Sequence, residues 1–462
     1  MSPAINLAIS TARKIAFETL RRVEAEGAYA SEVLHTVLGP GIKNEDAALA
    51  TELTMGVLRW RGLLDFLLER QLKKPVARLD LAVAIALRIG LYQLRFLERI
   101  PARAAVNESV ELVKHARKAS AASLVNAVLR KLAAEADAPD ARFLPADLPA
   151  AERLAILHSH PRWMVERWLA RFGEARTTAL LEANNRAPRL SCALHVPSGR
   201  ELVLAELKKA GMTTDEGRLL RSAFAVSGGS PARTTAFLAG QISIQDEASQ
   251  AVSLLLDVHE GDCVLDLCAA PGGKTATLAR AAGIRGSVVA ADLHPHRLRA
   301  MREQLKRIKL AQVTLVNLDA TKPLPFRSGF DRILVDAPCS GTGTLARHPE
   351  IRWRLRPEQL PELHQLQVAI LCRALEGLAP GGRLVYSTCS LEPEENEEVV
   401  AEALRENGSI KRVAGSTVSA TLRKYLAPGM QPADLVDASG QFRTLPGAQA
   451  TDGFFAAVLE RH

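Results

Sequence analysis

Cysteines are few in this sequence. The 462 residues contain six of them, and no two are spaced as a C-x-x-C pair. That density excludes a small disulfide-stapled scaffold and favours a reducing compartment. Long apolar runs are also lacking, because no window approaches an uninterrupted membrane span and the first apolar stretch contains Arg13 and Lys14 inside it, unlike a signal peptide. We therefore expect a cytoplasmic protein with no membrane segment.

Two glycine patterns of nucleotide-binding proteins are missing as well. The dinucleotide fingerprint G-x-G-x-x-G does not occur. The triphosphate loop G-x-x-x-x-G-K-[ST] is nearly matched by "DLCAAPGGKT" at 266–275, but Cys268 stands where its first glycine belongs. The turn at 271–273 still lets backbone N–H groups approach a ligand, and the helix that follows favours a carboxylate as readily as a phosphate. We expect a small-molecule site here that is not a triphosphate site.

Acidic residues are the minority among the charged ones. The sequence has 59 Lys and Arg against 51 Asp and Glu, a formal charge of +8. Between residues 88 and 131, nine basic residues stand against three acidic ones. This cluster favours a surface that faces RNA or DNA, and a solvated helix face is the alternative interpretation.

The pattern of apolar residues changes twice along the chain. Up to about residue 135 they recur at helical spacing and no strand-like alternation appears, so an all-helical region is predicted. A linker rich in Ala, Pro and Asp follows at 134–150, and then helix, strand and helix patterns indicate a small α/β module. We predict a multidomain protein with boundaries at 1–137, 138–238 and 239–462.

The last part alternates short apolar runs with helical segments. The predicted strands cover 263–268, 287–292, 313–319, 331–338 and 383–389. Near-continuous apolar strands are buried on both faces of a parallel sheet, and their alternation with helices predicts a doubly wound, Rossmann-like α/β domain. The stretch "GFFAAVLER" near the C-terminus is predicted as a final antiparallel edge strand. Ligands of such domains bind beyond the carboxyl ends of the strands.

Three successive predicted strands end in aspartates, namely Asp266, Asp292 and Asp319. Asp292 lies about twenty residues after the glycine turn, where a carboxylate can accept both hydroxyls of a ribose. Asp319, at the tip of the third strand, would accept from an adenine amino group. Either residue can also serve as a helix N-cap, but together the carboxylates favour a nucleoside ligand.

Two cysteines, Cys339 and Cys389, come just after the fourth and fifth predicted strands. Both lie in loops of Pro, Ser, Thr and Gly, whereas Cys263 and Cys372 lie in apolar runs that suit a buried thiol. A thiolate at a ligand rim is a strong nucleophile. We therefore expect both rim cysteines to take part in the chemistry.

The motifs "DLCAAPGGKT", "DAPCSGTG" followed by "RHPEIRW", "STCSLEPEENE" and "ISIQDEASQ" resemble those of the Sun/Nol family of S-adenosylmethionine-dependent RNA cytosine-C5 methyltransferases. The helical start resembles the domain shared with the antiterminator NusB. The catalytic resemblance covers about 240–462, although near the C-terminus only "DGFF" matches the family's ending. The resemblance implies a class I methyltransferase domain that needs no metal and an RNA-binding helical domain.

This resemblance also implies the roles of individual residues. Cys389 would attack C6 of cytosine, Asp336 would hydrogen-bond or protonate N3, and Cys339 would act in release of the product. S-adenosylmethionine would lie over Cys268, Ala269, Ala270, Pro271, Gly272, Gly273 and Lys274, with Asp292, Asp319 and Asp336 around it. Whether Lys274 faces this cofactor or the RNA is left open.

The resemblance implies 16S ribosomal RNA as the substrate, bound by a monomer. The target base must be single-stranded or flipped out, since C5 and C6 of a stacked base are inaccessible. Basic residues of "LARHPEIRWRLRPEQ" and of the helical domain are expected to hold the RNA backbone. The alternatives are a tRNA or 23S rRNA substrate, or an assembly factor that binds RNA without catalysis.

Overall fold

The computed structural model of the protein describes residues 9–39, 41–195, 199–327 and 329–462. The chain forms two compact units. The first runs to Ala187 and also contains Leu345–Arg354, and the second comprises Pro188–Thr344 and Leu355–His462. The start of the N-terminal stretch used in the compartment prediction lies outside the described residues. Within those residues, no helix is both long enough and apolar enough for a membrane crossing.

The first unit is helical, as predicted for the start of the chain. Helix α4 is buried over most of its surface because it is apolar on nearly every face. Around it, the apolar stripes of the neighbouring helices form one core. The helices of this unit, numbered in chain order through the whole protein, are α1 Thr11–Glu26, α2 Ala30–Val37, α3 Asn44–Leu72, α4 Leu81–Phe96, α5 Ala102–His115, α6 Ala122–Ala133, α7 Ala150–Leu157, α8 Arg162–Asn185 and the single turn α14 Ile351–Arg354.

Only part of the basic cluster between residues 88 and 131 is exposed. Arg88 is 3% exposed, and its guanidinium pairs with Asp65 at 2.7 Å and Glu24 at 2.8 Å. Arg95 donates to the carbonyl oxygen of Glu135 at 3.0 Å and so fastens the start of the linker. These two arginines stabilise the helical unit and are not available to RNA, which corrects the prediction for them. The remaining seven basic residues of the cluster are exposed.

Arg352, in the segment Leu345–Arg354, is completely buried within the helical unit. Its guanidinium donates to the carbonyl oxygens of Ser159 at 3.0 Å and Asn184 at 3.1 Å, and to Oδ1 of Asn185 at 2.8 Å. Burial, with a smaller effect of Arg59, lowers the pKa of Arg352 to about 9, so the side chain stays charged at neutral pH. The expectation that this arginine holds RNA is therefore wrong.

The neighbours of Arg352 are fastened in the same way. Trp353 donates from Nε1 to the carbonyl oxygen of Leu58 at 2.7 Å, and Arg354 donates to that of Val23 at 2.7 Å. The carbonyl group of Val23 lies in the last turn of α1, where it lacks an intrahelical partner, whereas that of Leu58 lies within α3. Arg352 and Arg354 thus donate to backbone carbonyl groups of the helical unit.

Replacing Arg352 with alanine should destabilise the helical unit by about 3 kcal/mol, because several buried carbonyl acceptors lose their donor and a cavity opens. All four tryptophans, Trp60, Trp163, Trp168 and Trp353, belong to this unit. Urea unfolding of the full chain followed by tryptophan fluorescence therefore reports on it selectively. The exposed Arg103 provides the control, since its replacement with alanine should change stability by less than about 0.5 kcal/mol. Equal midpoints for both variants would contradict this role of Arg352.

The second unit contains a small antiparallel sheet with strand order β2-β3-β1-β4. The predicted strand at "RLSCALHV" and the helix after it are present, and three more short strands complete the sheet. Its elements are β1 Leu190–Leu194, α9 Arg200–Lys209, β2 Thr213–Glu216, β3 Ala223–Ser227, α10 Thr235–Leu238 and β4 Ile242–Ile244. This confirms the prediction of a small α/β module.

The main sheet has the order β10-β12-β9-β8-β5-β6-β7, and β11 pairs with β12. Its five strands β5 to β9 run parallel, and all of them except the edge strand β7 carry the buried apolar runs seen in the sequence. This confirms the doubly wound, Rossmann-like fold. The elements are α11 Glu247–Leu255, β5 Cys263–Leu267, α12 Gly273–Ala282, β6 Ser287–Asp292, α13 Pro295–Arg307, β7 Thr314–Asn317, β8 Phe330–Asp336, α15 Leu360–Glu376, β9 Leu378–Thr388, α16 Glu397–Glu406, β10 Ile410–Arg412, α17 Gly415–Arg423, β11 Phe442–Thr444 and β12 Phe454–Arg461.

The C-terminal strand β12 is antiparallel to β9, as expected, but it is not an edge strand. Strands β10 and β11 pair with it on its other side. Each of them has three residues, too few for a periodic pattern to show in the sequence. The prediction of an edge position was therefore wrong.

Candidate active site

The strand order reverses between β5 and β8, so the loops that follow these two strands border one crevice. The loop after β5 is the glycine turn at 268–273, and β8 ends at Asp336, directly before its loop. Strand β9, the next neighbour of β8, ends at Thr388, directly before Cys389. The fold therefore brings the glycine turn, Asp336 and both rim cysteines to the same edge of the sheet.

Backbone conformations that side chains rarely adopt shape the turn after β5. Cys268 has a φ of 62° and Gly272 a φ of 100°. A Cβ atom on Gly272 would also lie 2.8 Å from Cγ of Met301, so both conformation and space require glycine. Helix α12 then starts at Gly273, and no side chain caps its first turn. The helix N-terminus can therefore receive the negative end of a ligand.

Asp266, the last polar residue of β5, is fully buried. Its Oδ2 accepts a hydrogen bond from Thr275 Oγ1 at 2.5 Å, while its Oδ1 has no partner among the described residues. Burial raises the pKa of Asp266 to about 7. Because buried polar atoms are seldom left unpaired, this oxygen fits a ligand that brings a donor.

Asp292 joins the second strand to the glycine turn. Its carboxylate accepts from the backbone N–H groups of Ala270 at 3.2 Å and His294 at 2.9 Å. Arg297 lies 3.2 Å from Oδ2 of Asp292 and also donates to the carbonyl oxygen of Ala270 at 2.8 Å. The side chain of Arg297 is 46% exposed, so it can move aside for ribose hydroxyls. A ribose contact of Asp292 stays a prediction.

Asp319, beyond β7, forms a local turn. Its Oδ1 accepts from the hydroxyl of Thr321 at 2.6 Å and from the backbone N–H of Thr321 at 3.0 Å. These two hydrogen bonds lower the pKa of Asp319. The turn resembles the N-cap alternative considered from the sequence, and the contact with adenine stays a prediction.

Asp336 sits between a cation and a hydroxyl group. Lys274 Nζ lies 2.7 Å from its Oδ2, and Ser387 Oγ donates to its Oδ1 at 2.8 Å. Burial alone would lower the pKa of Lys274, but the Asp336 carboxylate, helped by Cys389, leaves that pKa above its usual value. Lys274 therefore forms an ion pair with Asp336, and its facing the cofactor or the RNA stays a prediction.

The two rim cysteines touch each other. Sγ of Cys339 and Sγ of Cys389 are 3.3 Å apart, and both thiols are free. The hydrogen bond to Cys389, followed by burial, raises the pKa of Cys339 well above its ordinary value. One of the two thiols can thus donate a hydrogen bond to the sulfur of the other.

The residues at this edge suit S-adenosylmethionine. The start of α12 can take a carboxylate, the glycine turn lets the backbone approach, and Asp266 offers an unpaired buried acceptor. Three contributors to the site were missed in the sequence: Ser387, Arg297 and Glu395. Ser387 and Glu395 stand within a motif and Arg297 does not, and only the folded chain shows that Ser387 and Arg297 bind carboxylates and that Glu395 joins the two cysteine loops.

Three family models match the chain. The model described as 16S rRNA methyltransferase RsmB/F matches residues 253–460, the NusB family model matches residues 10–134, and a ferredoxin-like domain model of RsmF/B-like methyltransferases matches residues 160–232. The models thus cover both units of the chain. They agree with the helical, small α/β and Rossmann-like parts described above.

Relatives are similar over nearly the whole length. The probable ribosomal RNA small subunit methyltransferase B of Bacillus subtilis is 33% identical over 98% of this chain and 99% of its own. Ribosomal RNA small subunit methyltransferase B of Escherichia coli O127:H6 is 33% identical over 97% and 98%. The crystal structure of PH0851 is similar with a TM-score of 0.80 and 26% identity over 98% of this chain and 100% of that one. The chain therefore belongs to the RsmB/F family of rRNA methyltransferases, and it is an RNA methyltransferase that uses S-adenosylmethionine.

Proposed function

We propose that this enzyme methylates C5 of a specific cytosine in 16S rRNA through a covalent bond between Cys389 and C6 of the base. The observation that carries the proposal is the pair of thiols, 3.3 Å apart, at the ends of β8 and β9. C5 of cytosine does not attack a methylsulfonium unaided, and addition of a thiolate to C6 makes it nucleophilic. The printed names of the B. subtilis and E. coli relatives support a small-subunit RNA as the target.

The raised pKa of Cys339 supports different roles for the two thiols in the reaction. The hydrogen bond to Cys389 and burial raise the pKa of Cys339, which favours its protonated form and is consistent with the role of nucleophile that we propose for Cys389. Once Cys389 is bonded to C6, its sulfur is a neutral thioether and no longer raises the pKa of Cys339. Cys339 must lose its own proton before it can accept the proton from C5, and the fall in its pKa makes that loss easier.

Asp336 would meet the negative charge that develops at N3 of the base. Its carboxylate is oriented by Ser387 and is bonded to the ammonium group of Lys274. An ionised carboxylate cannot donate, so a proton must reach it before it can stabilise N3 by donation. The Lys274 ammonium donates to Oδ2 of Asp336 at 2.7 Å, and its raised pKa keeps positive charge beside this carboxylate.

S-adenosylmethionine supplies the methyl group as an electrophile bound to sulfur. The residues that would hold it are the turn 268–273, Asp292 at the ribose and Asp319 at the adenine. The target base would be single-stranded or flipped out, because the thiol must reach C6 from beside the ring. The exposed basic residues of α5 and α6 would bind the RNA backbone of a substrate held by one copy of the chain.

Bisulfite sequencing of cellular RNA from a strain without this protein tests the proposal. We expect one cytosine of 16S rRNA to lose its protection, and re-expression of the wild-type chain to restore it. Loss of protection in tRNA or 23S rRNA would contradict the 16S target. Unchanged protection in all RNA together with an assembly defect would support the non-catalytic assembly factor.

A further inference from the structure

We propose that Glu395 is a positioning residue that holds the loops of Cys339 and Cys389 at their working distance. This inference rests on the proposed two-cysteine chemistry. Glu395 lies in the turn Pro393–Glu395 after β9 and is completely buried. No step of the reaction described above uses it. Its carboxylate joins the two loops that present the thiols.

The carboxylate of Glu395 accepts hydrogen bonds from the residue that follows each cysteine. Its Oε1 accepts from the backbone N–H of Ser340 at 2.7 Å. Its Oε2 accepts short hydrogen bonds from the hydroxyl groups of Ser340 and Ser390. One carboxylate thus connects the chain directly after Cys339 to the chain directly after Cys389.

The other side of Cys339 is fastened to the same carboxylate through Gln367. The side-chain amide of Gln367 donates to Oε1 of Glu395 at 3.0 Å and to the carbonyl oxygen of Pro338 at 2.8 Å. The residues before and after Cys339 are therefore both tied to Glu395. A lateral movement of the Cys339 loop would have to break at least one of these bonds.

The free-energy cost of burying the Glu395 carboxylate favours a role for this residue in the reaction. Among the described residues, no Lys, Arg or His forms an ion pair with Glu395, although the carboxylate is fully buried. A buried charge without a counterion is costly unless its oxygens accept several hydrogen bonds. Here the bonds come from Ser340, Ser390 and Gln367, which are the groups that fix the loops. Apolar packing at this position would avoid the cost but would not hold the loops.

The distance between the thiols matters because C5 and C6 are neighbouring atoms of one ring. While Cys389 is bonded to C6, Cys339 must reach the proton on C5. Misplacement of a catalytic group by about 1 Å can lower a rate by ~100-fold. Further contacts join the loops: Gly343 N–H donates to the carbonyl oxygen of Cys389 at 2.9 Å, and Leu391 N–H donates to Thr342 Oγ1 at 2.8 Å. The hydroxyl group of Ser390 also lies 3.1 Å from that of Ser340 and 3.3 Å from that of Thr342. Removal of Glu395 should therefore loosen the loops without unfolding them.

The first test compares Glu395→Ala and Glu395→Gln with wild-type enzyme on unmodified small-subunit RNA. For the alanine variant we expect kcat to fall by ~100-fold and covalent enzyme–RNA adduct to accumulate because Cys339 no longer reaches C5, so that the KM for RNA falls with kcat. The glutamine variant keeps one acceptor and should recover about tenfold of that loss. Glu398→Ala, on the exposed face of α16, is the control and should behave like wild type.

The second test measures the thiol spacing without any methyl transfer. Phenylarsine oxide condenses with two thiols, forming one arsenic–sulfur bond to each with loss of water, so it requires both sulfurs close together. We expect wild type to bind one equivalent, Cys339→Ala and Cys389→Ala to bind none, and Glu395→Ala to bind at least about tenfold more weakly. Unchanged arsenical affinity of Glu395→Ala would overturn the proposal.

The two tests separate failure of this inference from failure of the proposed function. If Cys389→Ala still turns over, the covalent mechanism is wrong, yet the arsenical titration still decides whether Glu395 sets the spacing. If the cysteine variants behave as proposed but Glu395→Ala has normal kcat, the inference about Glu395 is wrong. A parallel loss of S-adenosylmethionine affinity and melting temperature in Glu395→Ala would also overturn it, since it would show a general structural role.

Discussion

Cys389→Ala is expected to abolish methyl transfer, whereas Cys339→Ala should methylate its RNA once and remain covalently attached to it. Without the Cys389 sulfur, C5 stays unreactive. Without Cys339, the methylated adduct has no base within reach of the C5 proton, since the two sulfurs are 3.3 Å apart in the structure. Turnover should fall by at least ~1,000-fold in both variants. Incubation with tritiated S-adenosylmethionine and RNA, followed by a denaturing gel, distinguishes the free protein from the adduct.

Cys372→Ala is the matched control for loss of a thiol. Cys372 lies on α15, away from the strand ends, and its substitution should leave turnover unchanged. An adduct that forms in Cys389→Ala and not in Cys339→Ala would reverse the assignment of the two cysteines. Turnover close to wild type in Cys389→Ala would rule out a covalent mechanism through this residue.

Asp336→Asn should lower kcat by about 100- to 10,000-fold, because an amide neither carries a proton to N3 nor pairs with Lys274. The same substitution removes the charge that raises the pKa of Lys274, so this pKa should fall. Below that lowered pKa Lys274 is an unpaired buried cation, and above it Lys274 is neutral. Single-turnover rates of the wild type and of Asp336→Asn, measured from pH 6 to 10, check the loss of methyl-transfer rate and its dependence on pH.

Asp331→Asn is the control at the other end of the same strand. Asp331 is exposed and accepts a hydrogen bond from the backbone N–H of Cys263 at 2.9 Å. Its substitution should leave kcat within about twofold of wild type. If Asp336→Asn retained half of the wild-type rate, a role of Asp336 at N3 would be excluded.

The sheet and its strand-end residues were predictable from the sequence because both depend on local patterns. Continuous apolar runs give the buried parallel strands, and their alternation with helices gives the position of the crevice. The chain positions of Asp336, Cys339 and Cys389 follow from these runs. That the two sulfurs touch follows only from the pairing of β8 with β9, which brings Asp336 opposite Ser387.

Interactions between residues far apart in the chain could not be predicted in the same way. From sequence alone an arginine is predicted to be a basic surface residue. Arg88 and Arg352 are nevertheless buried, because their guanidinium groups bind carboxylates and carbonyl groups from segments distant in the chain. No pattern in "IRWR" distinguishes a phosphate from a backbone carbonyl as the acceptor. Glu395 stands within a recognisable motif, but the three residues it joins come from three separate segments.

The ten residues Leu345–Arg354 give the protein an unusual connectivity, since the chain leaves the α/β unit after Thr344, completes the helical unit and returns at Leu355. A protease cut between Ala187 and Pro188 would therefore not release two separable fragments. The segment Leu345–Arg354 of the C-terminal fragment would remain packed within the helical unit of the N-terminal fragment. Nor would deletion of the first 187 residues yield an intact catalytic half. It would leave Arg352 and Trp353 without the carbonyl groups that they bind, only a few residues from the loop that carries Cys339.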